Sequence, residues 1–187
     1  MTAALSRLDV GRMGVTAYGG PSGTRVLHDL SQPWTDASAA SVLGNLRFDA
    51  DNTLQDTPLL DLLQTAGSLF EVERHQAKVA SGAALPSQLL LIVADGHFHE
   101  RTALQRAVRQ AGCDSSGEGP LIVFIILDAA KDSVLDLQQV VFENGVPTFI
   151  KYLDGFPFPY YMILRDIQRL PHLLADLLRQ WLQVCSR

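Results

Sequence analysis

The side chains best placed to do chemistry stand where apolar runs stop. Residues 88–96, QLLLIVADG, put Asp95 and Gly96 directly after six consecutive apolar residues. A run without apolar/polar alternation is the pattern of a strand covered on both faces of a parallel sheet. In open α/β sheets ligands collect in the crevice beyond the carboxyl ends of the strands. Asp95 is therefore a candidate oxygen ligand for a hard cation, or a group that faces a partner. Residues 121–127, LIVFIIL, repeat the arrangement and stop at Asp128. Paired, Asp95 and Asp128 would suit a metal-assisted hydrolase of α/β type. Against that stand the lack of a Gly-x-Ser-x-Gly elbow or a nucleotide loop, and five histidines scattered through unrelated segments. The plain alternative for both aspartates is to cap the loop or helix that follows, which is the commoner use of Asp there. A third polar cluster, Phe48-Asp49-Ala50-Asp51-Asn52-Thr53, offers further oxygen donors shortly before a helix.

A sheet and its helices must position these residues. Leu104, Ala107, Val108 and Ala111 recur at helical spacing up to Gly112, and Asp114-Ser115-Ser116-Gly117 makes the return loop. A helix between two buried strands is the parallel βαβ unit. Residues 13–18 and 24–28 read as an edge hairpin around GGPSG, which lacks the Gly-Lys-Ser/Thr of a phosphate loop. Asp36 is expected to cap a short helix over 37–43. Leu59, Leu62, Leu63, Ala66 and Leu69 mark a second helix that packs one face on the sheet, with a loop over 78–86 behind it. Residues 140–142 and 148–152, around Asn144-Gly145, form a hairpin within an insertion at 138–153. Residues 159–164 make a last strand. Leu170, Leu173, Leu174, Leu177, Leu178, Trp181 and Leu182 stripe a closing helix opened by Pro171. At the start, residues 2–8 read as the last turns of a helix running into Gly11.

Composition narrows the function classes. With 187 residues and 47% hydrophobic content the chain suits one domain with a sizeable core. A formal charge of −5 and a pI near 5.4 argue against a nucleic-acid-binding face, so protein or small-ligand partners are expected. No apolar stretch approaches the roughly 20 residues that span a bilayer, and the start lacks a secretory signal pattern, so a soluble, intracellular chain is expected. Cys113 and Cys185 have no metal-type spacing and are expected to be reduced thiols.

The order of elements, the VADG strand end and above all FPFPYYMILRDIQRLPHLLADLLRQW (residues 156–181) resemble the carboxyl-terminal von Willebrand factor A-type domain of the midasin family. The resemblance extends over residues 5–183, and LDVGRMGVTAYG and TRVLHDL are similar to that domain's second and third strands. It implies a three-layer, Rossmann-like α/β fold with a mostly parallel sheet and helices on both faces. It further implies a metal-dependent protein-binding module of an AAA ATPase that remodels pre-60S ribosomal particles in the nucleus. In that family a divalent cation, usually Mg²⁺, sits in a metal-ion-dependent adhesion site and grips an acidic residue on ubiquitin-like domains of ribosome assembly factors. Hydroxyls and carboxylates are suitable hard ligands for such an ion. The motor is not part of this segment, so the resemblance implies no catalysis by this chain, and neither nucleic acid nor membrane as a direct partner.

Carried over residue by residue, Thr53 fits the family's threonine ligand and Asp95 its aspartate at the end of the fourth strand. His97 and Phe98 then lie in a loop that faces the partner, or form an exposed turn with one residue tucked onto the sheet end. The family's Asp-x-Ser-x-Ser motif has no counterpart after an apolar strand, and Asp36-Ala37-Ser38-Ala39-Ala40 fails at its last position. The expectation is a chain that starts inside the helix following that motif, lacks the first, central strand, and is a fragment of a longer protein. A remnant that neither folds alone nor binds metal is the competing expectation, because unpaired backbone beside a missing strand is costly when buried.

Overall fold

The computed structural model describes residues 11–20, 23–46, 58–81, 87–98, 101–112, 119–128, 131, 133–143 and 145–185. The expected helix at 2–8, Cys113 and the 48–53 cluster with Thr53 lie outside the described residues. The chain divides into two compact units, Met1–Gln88 with Pro171–Arg187, and Leu89–Leu170.

In the first unit, β1 (Val15–Gly20) and β2 (Gly23–His28) pair antiparallel, with Val15 opposite His28 and Gly20 opposite Gly23. Helix α1 (Asp36–Asn45) follows. Its cap is Thr35 rather than the expected Asp36: Thr35 is extended, and its hydroxyl accepts the Ser38 N–H at 3.1 Å. Asp36 is already in the first turn, where a carboxylate complements the helix dipole. Helix α2 (Pro58–Ser81) buries Leu59, Leu62, Leu63 and Ala66 and lies against both strands of the hairpin. The Asp61 carboxylate accepts the Thr24 N–H at 3.2 Å, and Arg12 pairs with Glu73. This helix continues to Ser81, through the first part of the loop expected at 78–86, because neither Gly nor Pro occurs between Gly67 and Gly82. Gln88 anchors the exit from that region by donating to the Phe70 carbonyl at 2.9 Å. In helix α4 (Leu170–Cys185), Leu170, Leu174, Leu177 and Leu178 are buried while Leu182 is exposed, so the apolar stripe is narrower than the leucine spacing implies.

The second unit is built on a parallel sheet of β3 (Leu89–Ala94), β4 (Leu121–Leu127) and β7 (Tyr161–Leu164), in the order β3-β4-β7. Helix α3 (Arg101–Ala111) connects β3 to β4 and buries Leu104 and Val108, completing the expected βαβ unit. Ala94 faces Ile126 and Leu127 faces Leu164, so the strands stop nearly in step. The α/β class with a parallel sheet is as the sequence implied. The expectation that both apolar strands are buried holds for β4 alone. Central β4 has Ile122 to Ile126 buried, whereas β3, paired with β4 alone among the described residues, is half-buried apart from Ile92. Among the described residues, two flanking strands shield β4 and one shields β3. β7 starts at Tyr161 and not at Pro159, which has no N–H to give a ladder. The Tyr160 carbonyl still accepts the Phe124 N–H at 3.0 Å.

β5 (Gln138–Glu143) and β6 (Val146–Lys151) form a separate antiparallel hairpin with Gly145 at φ +82 in its turn. Val140, Phe142 and Phe149 lie exposed on one face of it. Tyr152 does not end the strand, as the spacing predicted, but opens a 3₁₀ turn over Tyr152–Gly155. Among the described residues, no helix is long and apolar enough to cross a membrane.

Candidate functional site at the end of β3

Asp95 leaves β3 and is followed by Gly96 at φ +81, a conformation that L side chains resist. A Cβ on Gly96 would also meet Ile126 Cγ2 at 3.0 Å, so the turn both needs glycine and lies close on β4. The turn closes when Asp95 Oδ1 accepts the His97 N–H at 3.1 Å. Asp95 thus caps its own turn and not helix α3, which begins at Arg101. Its side chain remains 71% exposed, and Oδ2 stands 3.7 Å from His97 Nδ1. The outcome is one carboxylate oxygen held by backbone and the other facing solvent beside an exposed imidazole.

The floor under the turn comes from elsewhere in the chain. The Tyr152 hydroxyl donates to the Gly96 carbonyl at 2.8 Å and accepts the Phe98 N–H at 2.9 Å. Arg101 stacks its guanidinium 3.6 Å from the Tyr152 ring centroid and donates to the Tyr152 carbonyl at 3.0 Å. Gln105, one turn along α3, reaches the Gly155 carbonyl at 3.3 Å. Phe98 is half-buried, its ring 5.4 Å from that of Phe124, 5.3 Å from Phe156 and 5.9 Å from Phe158. Such edge and tilted ring pairs add to the burial that anchors the loop.

Asp128, at the end of β4, has a different fate. Its side chain is 1% exposed. It accepts the Ser133 hydroxyl at 2.8 Å, the Val134 N–H at 3.0 Å and Arg165 Nε at 3.0 Å. Arg165 also donates to the Ser133 hydroxyl at 3.2 Å. Burial pushes the Asp128 carboxyl up, but the bonds from Ser133, Val134 and Arg165, together with the Arg165 charge, outweigh it and hold the group below the ordinary carboxylate value. Pairing of β7 with β4 brings Arg165 there: the Asp128 N–H donates to the Leu164 carbonyl, and Arg165 is next in the chain. Asp128 is a loop latch, so the paired-carboxylate hydrolase reading loses its second member.

The structure brings Asp95, His97 and Phe98 together on one turn, and Thr53 lies outside the described residues. Among the described residues no group of three or more His, Cys, Asp or Glu side chains is placed to hold a metal ion. Sequence reasoning missed Tyr152 and Arg165. Arg165 was legible in principle as the residue after a strand pairing with β4, whereas nothing local marks Tyr152.

No family model matches the chain. Over 184 residues, 97% of its length, the chain is 28% identical to midasin from Dictyostelium discoideum. Over 184 residues, 96% of its length, it is 31% identical to midasin from Giardia intestinalis. It spans only 3% and 4% of the length of these two relatives. The likeness to midasin read from the VADG strand end and residues 156–181 thus extends over nearly the whole chain.

Proposed function

Because nearly the whole chain is similar to one short stretch of midasin, we propose that it is a von Willebrand factor A-type, partner-gripping module within a midasin-like protein. The parent works in ribosome biogenesis in the nucleus, as an ATPase on pre-60S particles, and this segment binds ubiquitin-like domains of assembly factors. The observation that carries the reading is the solvent-facing Asp95 carboxylate at the end of a parallel strand, on a turn held from beneath.

A divalent cation such as Mg²⁺ fits that carboxylate in kind, since hard cations take oxygen ligands. One described carboxylate is not a cage, and six oxygens is the usual complement for Mg²⁺. Thr53 is the second ligand in this reading. The ion, when bound, supplies positive charge at an open position for a partner's carboxylate. Asp95 provides a ligand oxygen, its exposed neighbour His97 contacts the partner, and Phe98 divides its ring between the aromatic cluster and the surface.

The test is calorimetric titration of the full-length midasin-like protein with a ubiquitin-like domain, in Mg²⁺ and in EDTA. The expected result is binding in Mg²⁺ that is lost in EDTA and in Asp95→Ala. An Asp95→Ala protein that binds as tightly as the parent overturns the site assignment.

A further inference from the structure

Tyr152 belongs to the hairpin arm of the second unit, yet its hydroxyl serves the turn that carries Asp95. One oxygen donates to the Gly96 carbonyl and accepts the Phe98 N–H, bracketing His97 from both sides. Tyr152 is itself held by its N–H, which donates to the Leu137 carbonyl at 2.9 Å, just before β5, and by Arg101 stacked on its ring. It is only 9% exposed. The aromatic cluster that receives Phe98 is made of Phe124, Phe156 and Phe158, so packing in this region does not by itself require a hydroxyl. A buried hydroxyl with both its donor and an acceptor position used on one turn holds that turn in one conformation, because every alternative leaves polar groups unpaired.

We infer that Tyr152 is a positioning residue for the Asp95 site: through it, the base of the β5–β6 hairpin holds the Asp95-to-Phe98 turn in the conformation that directs the carboxylate to solvent. Its consequence for binding rests on the reading of Asp95 given above. Without the hydroxyl, the competent turn becomes one of several populated conformations, and apparent affinity falls by the competent fraction. Nothing on the carboxylate, the imidazole or the solvent face has to change.

The test is Tyr152→Phe in the full-length protein, which keeps the ring under Arg101. Hydrogen exchange read by mass spectrometry is expected to speed up roughly tenfold in peptides covering residues 95–98, with those covering β4 unchanged. Affinity for a ubiquitin-like domain in Mg²⁺ is expected to fall roughly tenfold, because Tyr152 acts by holding the turn that carries Asp95. Unchanged exchange at 95–98 overturns the positioning role. So does faster exchange with undiminished binding in a protein whose binding Asp95→Ala abolishes; that result leaves the site assignment standing. If Asp95→Ala itself binds normally, the site assignment fails and the functional claim for Tyr152 fails with it.

Discussion

The ends of β3 and β4 make a controlled comparison, since each is an apolar strand that stops at an aspartate. At β4 the carboxylate is buried among a hydroxyl, a backbone N–H and a guanidinium. At β3 one oxygen closes a two-residue turn and the other faces solvent beside the His97 ring. The difference lies in what each strand has for neighbours. β4 is central and receives Arg165 from the end of β7, while β3 has β4 alone beside it among the described residues. The same local pattern therefore yields a structural latch where tertiary partners converge and, among the described residues, an exposed carboxylate where they do not.

Breaking the latch should have the largest effect. Asp128→Ala leaves Ser133, the Val134 N–H and Arg165 without their acceptor, and is expected to cost about 2–3 kcal/mol in urea unfolding, the half-exposed arginine keeping it from the top of the range for buried pairs. Gly96→Ala comes next, at about 1–2 kcal/mol, from a left-handed backbone and the close approach of Ile126. A third, smaller difference appears in acid. The folded Asp128 carboxyl lies below its unfolded value, so its contribution is complete above the ordinary carboxylate range and is lost as pH falls through the folded value. Unfolding midpoints followed down the acid limb should fall less steeply in Asp128→Asn than in the parent. Asp95→Ala should have the smallest effect on stability, within about 0.5 kcal/mol, as befits an exposed side chain, while removing Mg²⁺-dependent binding of a ubiquitin-like domain. Equal unfolding costs for Asp95→Ala and Asp128→Ala would erase the distinction between latch and ligand.

Helix α2, the β5–β6 hairpin and the apolar strands were legible because their signals are local. Leucines at helical spacing, glycine in a tight turn and runs of branched residues each bias the few dihedrals nearest them. The candidate turn was legible for the same reason, since an Asp-Gly pair after an apolar run marks the end of a strand. Thr35 replaced Asp36 as the cap because capping depends on which residue stays extended, and both side chains could serve.

By itself, then, the sequence determined the α/β element types, the place of Asp95 at a strand end and the likeness to a short stretch of midasin, all of which reside in contiguous residues. Only the tertiary structure decided that, of the two apolar strands, β4 is buried along its length and β3 only in part, that Asp128 is a latch, and that Tyr152 stands under the Asp95 turn. Those outcomes depend on strand order, on register and on bonds such as the one joining Phe98 to Tyr152, 54 positions along the chain. No periodicity in a single stretch encodes a contact made across that distance, because the two segments meet only after the sheet and its loops have packed.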